Sequence, residues 1–106
     1  MGLDQWVYAG KGEYDTSEEI FYWRKHSDLH GWFEEMFDKD LNCINVEIDL
    51  DILQALKEDY SKGLKPASGF FWGKSDWYHH EKTNEFFSIA ERYLKDGYKL
   101  WYGASY

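Results

Sequence analysis

The sequence predicts an α+β two-layer sandwich, about three helices packed on a small three-stranded sheet in the order β-α-β-α-loop-α-β. Short stretches of β-favouring or alternating apolar residues occur near both ends and in the middle, at 4–9, 43–48 and 98–102. Apolar residues three and four apart fill 19–37, 50–62 and roughly 77–95. The chain has 106 residues, one proline, and no repeat, linker or low-complexity tract, so residues 1–106 form one domain with one modest core.

Asp4 to Ala9 is the first strand. Lys11 to Glu19 is polar and contains Gly12, hence a loop. The first helix is expected from Glu19 to Phe37, with Tyr22, His26, Leu29, Phe33 and Met36 inward and Trp23 and Phe37 widening the stripe. Gly31 inside that helix costs roughly 1 kcal/mol against alanine. Its presence implies another element packed closely there, with the Phe70–Trp72 segment as the candidate. Asp38 to Asn42 is a turn, and Cys43 to Ile48 is a half-buried strand with Ile44, Val46 and Ile48 on one side. Asp49 caps a second helix of about 50–62, in which Ile52, Leu53, Leu56 and Tyr60 face inward and Gly63 marks the end. A loop follows over 63–77. The third helix starts at Trp77 or His80 and uses Phe86, Phe87, Ala90, Tyr93 and Leu94 before the Lys95-Asp96-Gly97 stop. Tyr98 to Tyr102 is the last strand.

The core must be aromatic-rich, because six Trp, nine Tyr and seven Phe make up 21% of the chain. So small a domain cannot bury all of them, and the surplus belongs at the surface, where Trp and Tyr mark binding patches. The stretch Pro66 to Gly73 sets Phe70, Phe71 and Trp72 between two glycines. It is expected to be buried or to line a pocket, with Phe70 and Phe71 against the first helix near Gly31.

Net charge is −8 and uneven: residues 1–60 carry 15 acidic and 5 basic side chains, residues 61–106 carry 5 and 7. This argues against a general nucleic-acid-binding surface, which needs clustered Lys and Arg, and leaves room for a local anion site in the second half. It fits a solvated acidic face or one that docks on a basic partner through Glu34, Glu35, Asp38 and Asp40. No apolar run reaches membrane-spanning length. The start lacks a signal-peptide pattern, and Trp6 stands where a myristoylation motif needs Ser or Thr. The expectation is a cytosolic protein without membrane contact.

Several residue groups invite a chemical reading. His26, His30 and Glu34 stand four apart, a spacing that aligns ligands along a helix, but no fourth ligand is placed by spacing and His79-His80-Glu81 is a loose candidate. No metal and no cofactor are expected. Arg24 and Lys25 beside His26 and His30 suggest an anion site, against the alternative that Arg24 pairs with a local carboxylate such as Glu19 or Asp28. Cys43 is the only cysteine, which excludes an intrachain disulfide. It becomes a nucleophile only with His26 or His30 beside it, and is otherwise core. Ser68 lacks the nucleophile-elbow glycines. Trp72, Tyr78 and Trp101 form a stacking pocket for a planar ligand if the fold brings them together. No catalytic residue is assigned.

Taken together, Met1-Gly-Leu-Asp, Tyr22-Trp-Arg-Lys-His, Leu29-His-Gly-Trp, Asn42-Cys43, Ser68-Gly-Phe-Phe-Trp-Gly and the Tyr-rich ending resemble a family of small proteins from tailed bacteriophages, cyanophages among them. The resemblance covers essentially the full chain. Some relatives are labelled phosphoglycerate kinase, a label this chain does not support, having neither room for two domains nor a nucleotide loop. The resemblance implies expression in the cytoplasm of an infected bacterium and brings no catalytic residue with it. The expected function is non-enzymatic binding of a host macromolecule, with a host protein as the expected partner, redirecting metabolism or blocking defence. The alternative is a ligand-binding or catalytic pocket built from Arg24, Lys25, His26, His30, Ser68, Trp72 and Tyr78.

Overall fold

A four-stranded antiparallel sheet carries three helices in the computed structural model, which describes residues 2–12, 16–69 and 72–106. The elements are β1 (Asp4–Gly10), β2 (Glu18–Arg24), α1 (Ser27–Phe37), β3 (Asn45–Ile48), α2 (Leu50–Lys62), α3 (Trp77–Lys95) and β4 (Lys99–Ser105). The strand order is β2-β1-β4-β3, so the first and last strands lie side by side at the centre. The α+β class stands, with one strand more than the sequence predicts.

That strand is β2, in a stretch expected to open the first helix. The run Ile20-Phe21-Tyr22-Trp23 is aromatic and β-branched, which loses rotamer freedom in a helix and suits a pleated surface. Pairing settles the matter: Trp6 lies opposite Tyr22, and Gln5 opposite Trp23. Trp23 then enters the core at 1% exposure while Tyr22 faces the other side. Lys25, at φ 60, turns the chain, and the helix begins only at Ser27. The expected inward stripe is shortened accordingly. Leu29, His30 and Phe33 are buried, whereas Met36 is 42% exposed.

The other elements follow their local signals. Asp49 caps α2 by accepting from the Ile52 N–H, and Gly63 ends it at φ 92. Asp76 caps α3, which starts at Trp77, and Gly97 at φ 87 follows its end. The third strand begins at Asn45, later than expected, because Cys43 adopts φ 60; Cys43 and Ile44 are therefore exposed instead of core. β4 runs on to Ser105, three residues past the expected end.

One sheet face meets the helices. Leu3, Val7 and Ala9 beside β1, Leu100, Tyr102 and Ala104 of β4, and Val46 and Ile48 of β3 pack against Leu29, Phe33, Leu53, Leu56, Phe86 and Phe87. The opposite face carries Trp6, Tyr8, Tyr22 and Trp101, all part-exposed.

Gly31 has the close neighbour its place in a helix implies, and that neighbour is Ala67. A Cβ on Gly31 would run into the Ala67 Cβ. Ala67 cannot easily yield, because its N–H donates to Asp28 Oδ1 at 2.9 Å. Gly31→Ala is therefore expected to lower stability by about 1–2 kcal/mol, the clash outweighing the gain in helix propensity. Thermal melts of Gly31→Ala and of Gly31→Ala/Ala67→Gly check this; the double variant should recover most of the loss. The expected burial of Phe70 and Phe71 beside Gly31 lies outside the described residues.

Candidate functional site

The four histidines organise the interior of the molecule. The α1 N-terminus begins at His26, whose side chain makes no cap; Ser75, from the loop before α3, supplies it instead by accepting from the Asp28 N–H at 3.0 Å. The same Ser75 Oγ lies 2.7 Å from His26 Nδ1. On its other side His26 Nε2 is 2.9 Å from the Tyr60 hydroxyl of α2, and Tyr60 is 2.6 Å from His80 Nδ1 of α3. Ser75, His26, Tyr60 and His80 thus form one hydrogen-bonded relay.

The relay can run in two directions. Either Ser75 donates to His26, His26 to Tyr60 and Tyr60 to His80, or every donor and acceptor is exchanged. Charge does not travel along it. Burial, with the repulsion of neighbouring His79 and His80, pushes the His26 imidazole down to about 3, so it stays neutral. Burial raises the Tyr60 hydroxyl to about 12, so it stays protonated.

His79 stacks on His26 at 5.0 Å between ring centroids and has a fixed tautomer. The Asp76 N–H donates to His79 Nδ1 at 2.8 Å, so Nε2 carries the proton and donates to the Arg24 carbonyl at 2.7 Å. This reciprocal cap closes the N-terminus of α3 and ties it to the end of β2.

A second buried chain meets the first at Gln5 of β1. The Gln5 amide accepts from the His26 N–H at 2.9 Å, and donates to the His26 carbonyl and the Tyr102 hydroxyl, both at 3.1 Å. Tyr102 in turn lies 2.7 Å from His30 Nδ1. His30 Nε2 sits 3.3 Å from Glu34 Oε2, near enough to feel its charge but without the alignment of a hydrogen bond. Burial lowers the His30 pKa and the Glu34 carboxylate opposes that shift. Trp72 packs edge-on against His30 at 4.7 Å, and Tyr106 does so at 5.3 Å.

The structure therefore brings His30 and Trp72 together but does not assemble the anion site read from sequence. Arg24 is exposed and pairs with Asp4 at 2.8 Å, beside Tyr22. Burial works against it, but the hydrogen bonds from Tyr22 and Arg24 hold the Asp4 carboxyl below its ordinary value. This ion pair lies across the β1–β2 register, where Asp4 faces Arg24, and the carboxylate partner is neither Glu19 nor Asp28. Lys25 lays its aliphatic chain over Gly73. Ser68 is exposed, and Tyr78 is 51% exposed on α3 beside Trp77. Trp72, Tyr78 and Trp101 form no common pocket: Trp72 sits beside α1, Tyr78 lies on the surface of α3, and Trp101 is on the far face of the sheet. Cys43 has no histidine near its Sγ, which lies by Asn42 and Ser105. Among the described residues, no three of His, Cys, Asp and Glu gather to hold a metal.

The acidic residues divide in two. Glu34 and Asp40 are structural: Glu34 accepts from the Leu41 N–H at 3.0 Å, and both accept from the Tyr106 hydroxyl. Hydrogen bonds from the Asn42 N–H and Tyr106 hold Asp40 below its ordinary value. Glu35 and Asp38 are exposed, and Glu35 makes only a loose surface pair with Lys65 at 3.4 Å. Beside Glu35 a cleft of about 620 Å³ opens between α1, the end of α2 and residues 63–67. Trp32, Met36 and Leu64 give it apolar surface, and Asp28, Glu35 and Asp59 line it with carboxylates.

Gln5, Tyr60, Ser75 and Tyr102 are not among the expected site residues, and His79 is there only as a loose candidate for a metal ligand. Two of them had a signal: Asp76 and His79 have the spacing of a reciprocal helix cap, and Gln5 alternates with Leu3, Val7 and Ala9 on the inward side of β1. Among the described residues no helix is long and apolar enough to cross a membrane. No family model, no curated protein and no solved structure matches this chain.

Proposed function

We propose that this protein acts without catalysis, by docking on a basic surface of a host protein in the infected bacterial cytoplasm. The observation that carries this reading is the cleft beside α1, where Trp32, Met36 and Leu64 lie among the carboxylates of Asp28, Glu35 and Asp59. Apolar area with an acidic border suits a partner segment that mixes basic and apolar side chains. The two lysines of the cleft do not cancel that border, because Lys62 pairs with Glu58 outside the cleft at 3.2 Å and Lys65 offsets Glu35 alone, leaving Asp28 and Asp59. Asp38, exposed at the end of α1, extends the acidic face. The histidines support the same reading from the other direction, since His26, His30 and His79 are buried inside the fold.

The test is affinity capture from host lysate, followed by association kinetics with the captured protein at several salt concentrations. Association should slow as salt rises, because exposed charges are screened over about 8 Å at physiological ionic strength. Glu35→Lys/Asp38→Lys should slow association roughly 10-fold or more and leave the melting temperature nearly unchanged. Reversals at Glu34 or Asp40 are poor probes, because they also break the Tyr106 contacts. A partner whose association ignores both salt and the double reversal would rule out acidic docking.

A further inference from the structure

A second cleft of about 520 Å³, which borders the first at Gly63 and Leu64, lies between α2 and α3, and the Ser75–His26–Tyr60–His80 relay ends in its wall. We infer that this cleft binds a small neutral heteroaromatic molecule presenting a hydrogen-bond donor and an acceptor on one edge, the chemical class of the free nucleobases.

The polar end of the cleft is built on α3. His80 and Asn84 both line it and stand four apart, which sets them one above the other on the helix. His80 Nδ1 is committed to Tyr60, so Nε2 is the nitrogen left for a ligand. The Asn84 amide makes no hydrogen bond among the described residues and offers both a donor and an acceptor. An amide of this kind matches the alternating donor and acceptor of a base edge. Leu64 and Phe87 supply the apolar walls that a ring requires.

The relay widens what His80 can accept. Reversing the hydrogen bonds converts Nε2 from donor to acceptor, and with His26 neutral and Tyr60 protonated the reversal moves no charge. A ligand can therefore be met in either orientation of its edge. Charged ligands fit less well. The single lysine of the cleft, Lys57, is held by Glu91 at 2.5 Å. The end of α2 borders the cleft and turns its partial negative charge toward it. A phosphate would meet that helix end in a chain of net charge −8.

Titration of the ¹⁵N-labelled protein with adenine, cytosine, adenosine and adenosine 5′-monophosphate tests the inference. At least one free base is expected to shift the backbone amides of residues 60–64 and 80–84. His80→Ala and Asn84→Ala should each weaken that binding about 10-fold, as the loss of one well-made hydrogen bond predicts. Tyr60→Phe, which keeps the ring but frees His80, should weaken it about threefold. Glu85→Gln, exposed elsewhere on α3, should leave it unchanged, and the monophosphate should bind no tighter than adenosine. The inference falls if no free base moves these amides at millimolar concentration, or if both His80→Ala and Asn84→Ala titrate like the parent protein. It also falls if the monophosphate binds tenfold tighter than adenosine, which would make the cleft an anion site. Asn84 is exposed and holds nothing in place, so Asn84→Ala tests the site without risk to the fold. Binding should persist in Glu35→Lys/Asp38→Lys, which separates this site from the docking surface.

Discussion

Lowering the pH from 7 to 5 should destabilise the protein by about 2 kcal/mol through His26 alone, and by roughly 4–5 kcal/mol as pH approaches 3. The sign follows from burial. Unfolded His26 takes up a proton near pH 6.5, whereas in the folded protein it resists protonation until about pH 3. Between those values the unfolded chain binds the extra proton, so stability is complete above the unfolded value and is lost as pH falls through the window. The lowered His30 acts in the same direction, and the lowered Asp4 and Asp40 add to it at more acid pH. A loss of 2 kcal/mol corresponds to a fall in Tm of about 8–16 °C for a domain near this size. Calorimetry across the window checks it, with His26→Gln as the comparison. That variant should be less stable at neutral pH and show a shallower decline below it. A parent protein whose Tm is flat from pH 7 to pH 5 would mean that water reaches His26.

Replacing Gln5 by leucine should cost about 3 kcal/mol, although leucine is a good core residue of similar size. Gln5 is fully buried and answers both the N–H and the carbonyl of His26 as well as the Tyr102 hydroxyl. Leucine leaves the His26 N–H buried without a partner, at about 1–3 kcal/mol, and removes the bonds to the His26 carbonyl, which keeps the His30 N–H at 3.2 Å, and to Tyr102, at about 1 kcal/mol each, offset partly by its greater apolar burial. Tyr102→Phe should cost about 2 kcal/mol, because it leaves His30 Nδ1 buried without its partner while the Gln5 amide keeps the His26 carbonyl. The two substitutions should not add, because they share a hydrogen bond. Urea unfolding of the single and double variants gives the coupling; strictly additive losses would show that Gln5 and Tyr102 are energetically separate.

Much of the fold was legible because its signals are local. Asp49, Gly63 and Gly97 each act within a turn of their own position, and the structure uses all three as the sequence suggests. Gly31 announced a close neighbour without naming it, since nothing local distinguishes Ala67 from the aromatic residues that follow. β2 was hidden because its aromatic run satisfies either period over so short a length; only pairing with β1 decides. The histidines misled for a related reason. A spacing of four aligns His26 and His30 only if both lie within one helix, and His26 precedes α1. Its side chain turns toward α2 and α3 while that of His30 turns toward β4. Tyr60 and Ser75 are 15 residues apart in sequence and meet only through His26, a relation no window along the chain contains.

The central pairing of β1 with β4 bears on how the chain is made. A ribosome releases β1 first, and its inner neighbour β4 only after β2, β3 and the three helices. Until β4 clears the exit tunnel, the β1–β2 ribbon has an open edge along β1, where Val7 should meet Tyr102. A two-stranded ribbon is at best marginal in water. The sheet therefore cannot close before β4 has emerged, and until then the apolar face of the ribbon is an aggregation hazard. Slowing translation should not help this protein to fold. Moving β4 ahead of β1 by circular permutation, so that the central pair is made first, should raise its soluble yield.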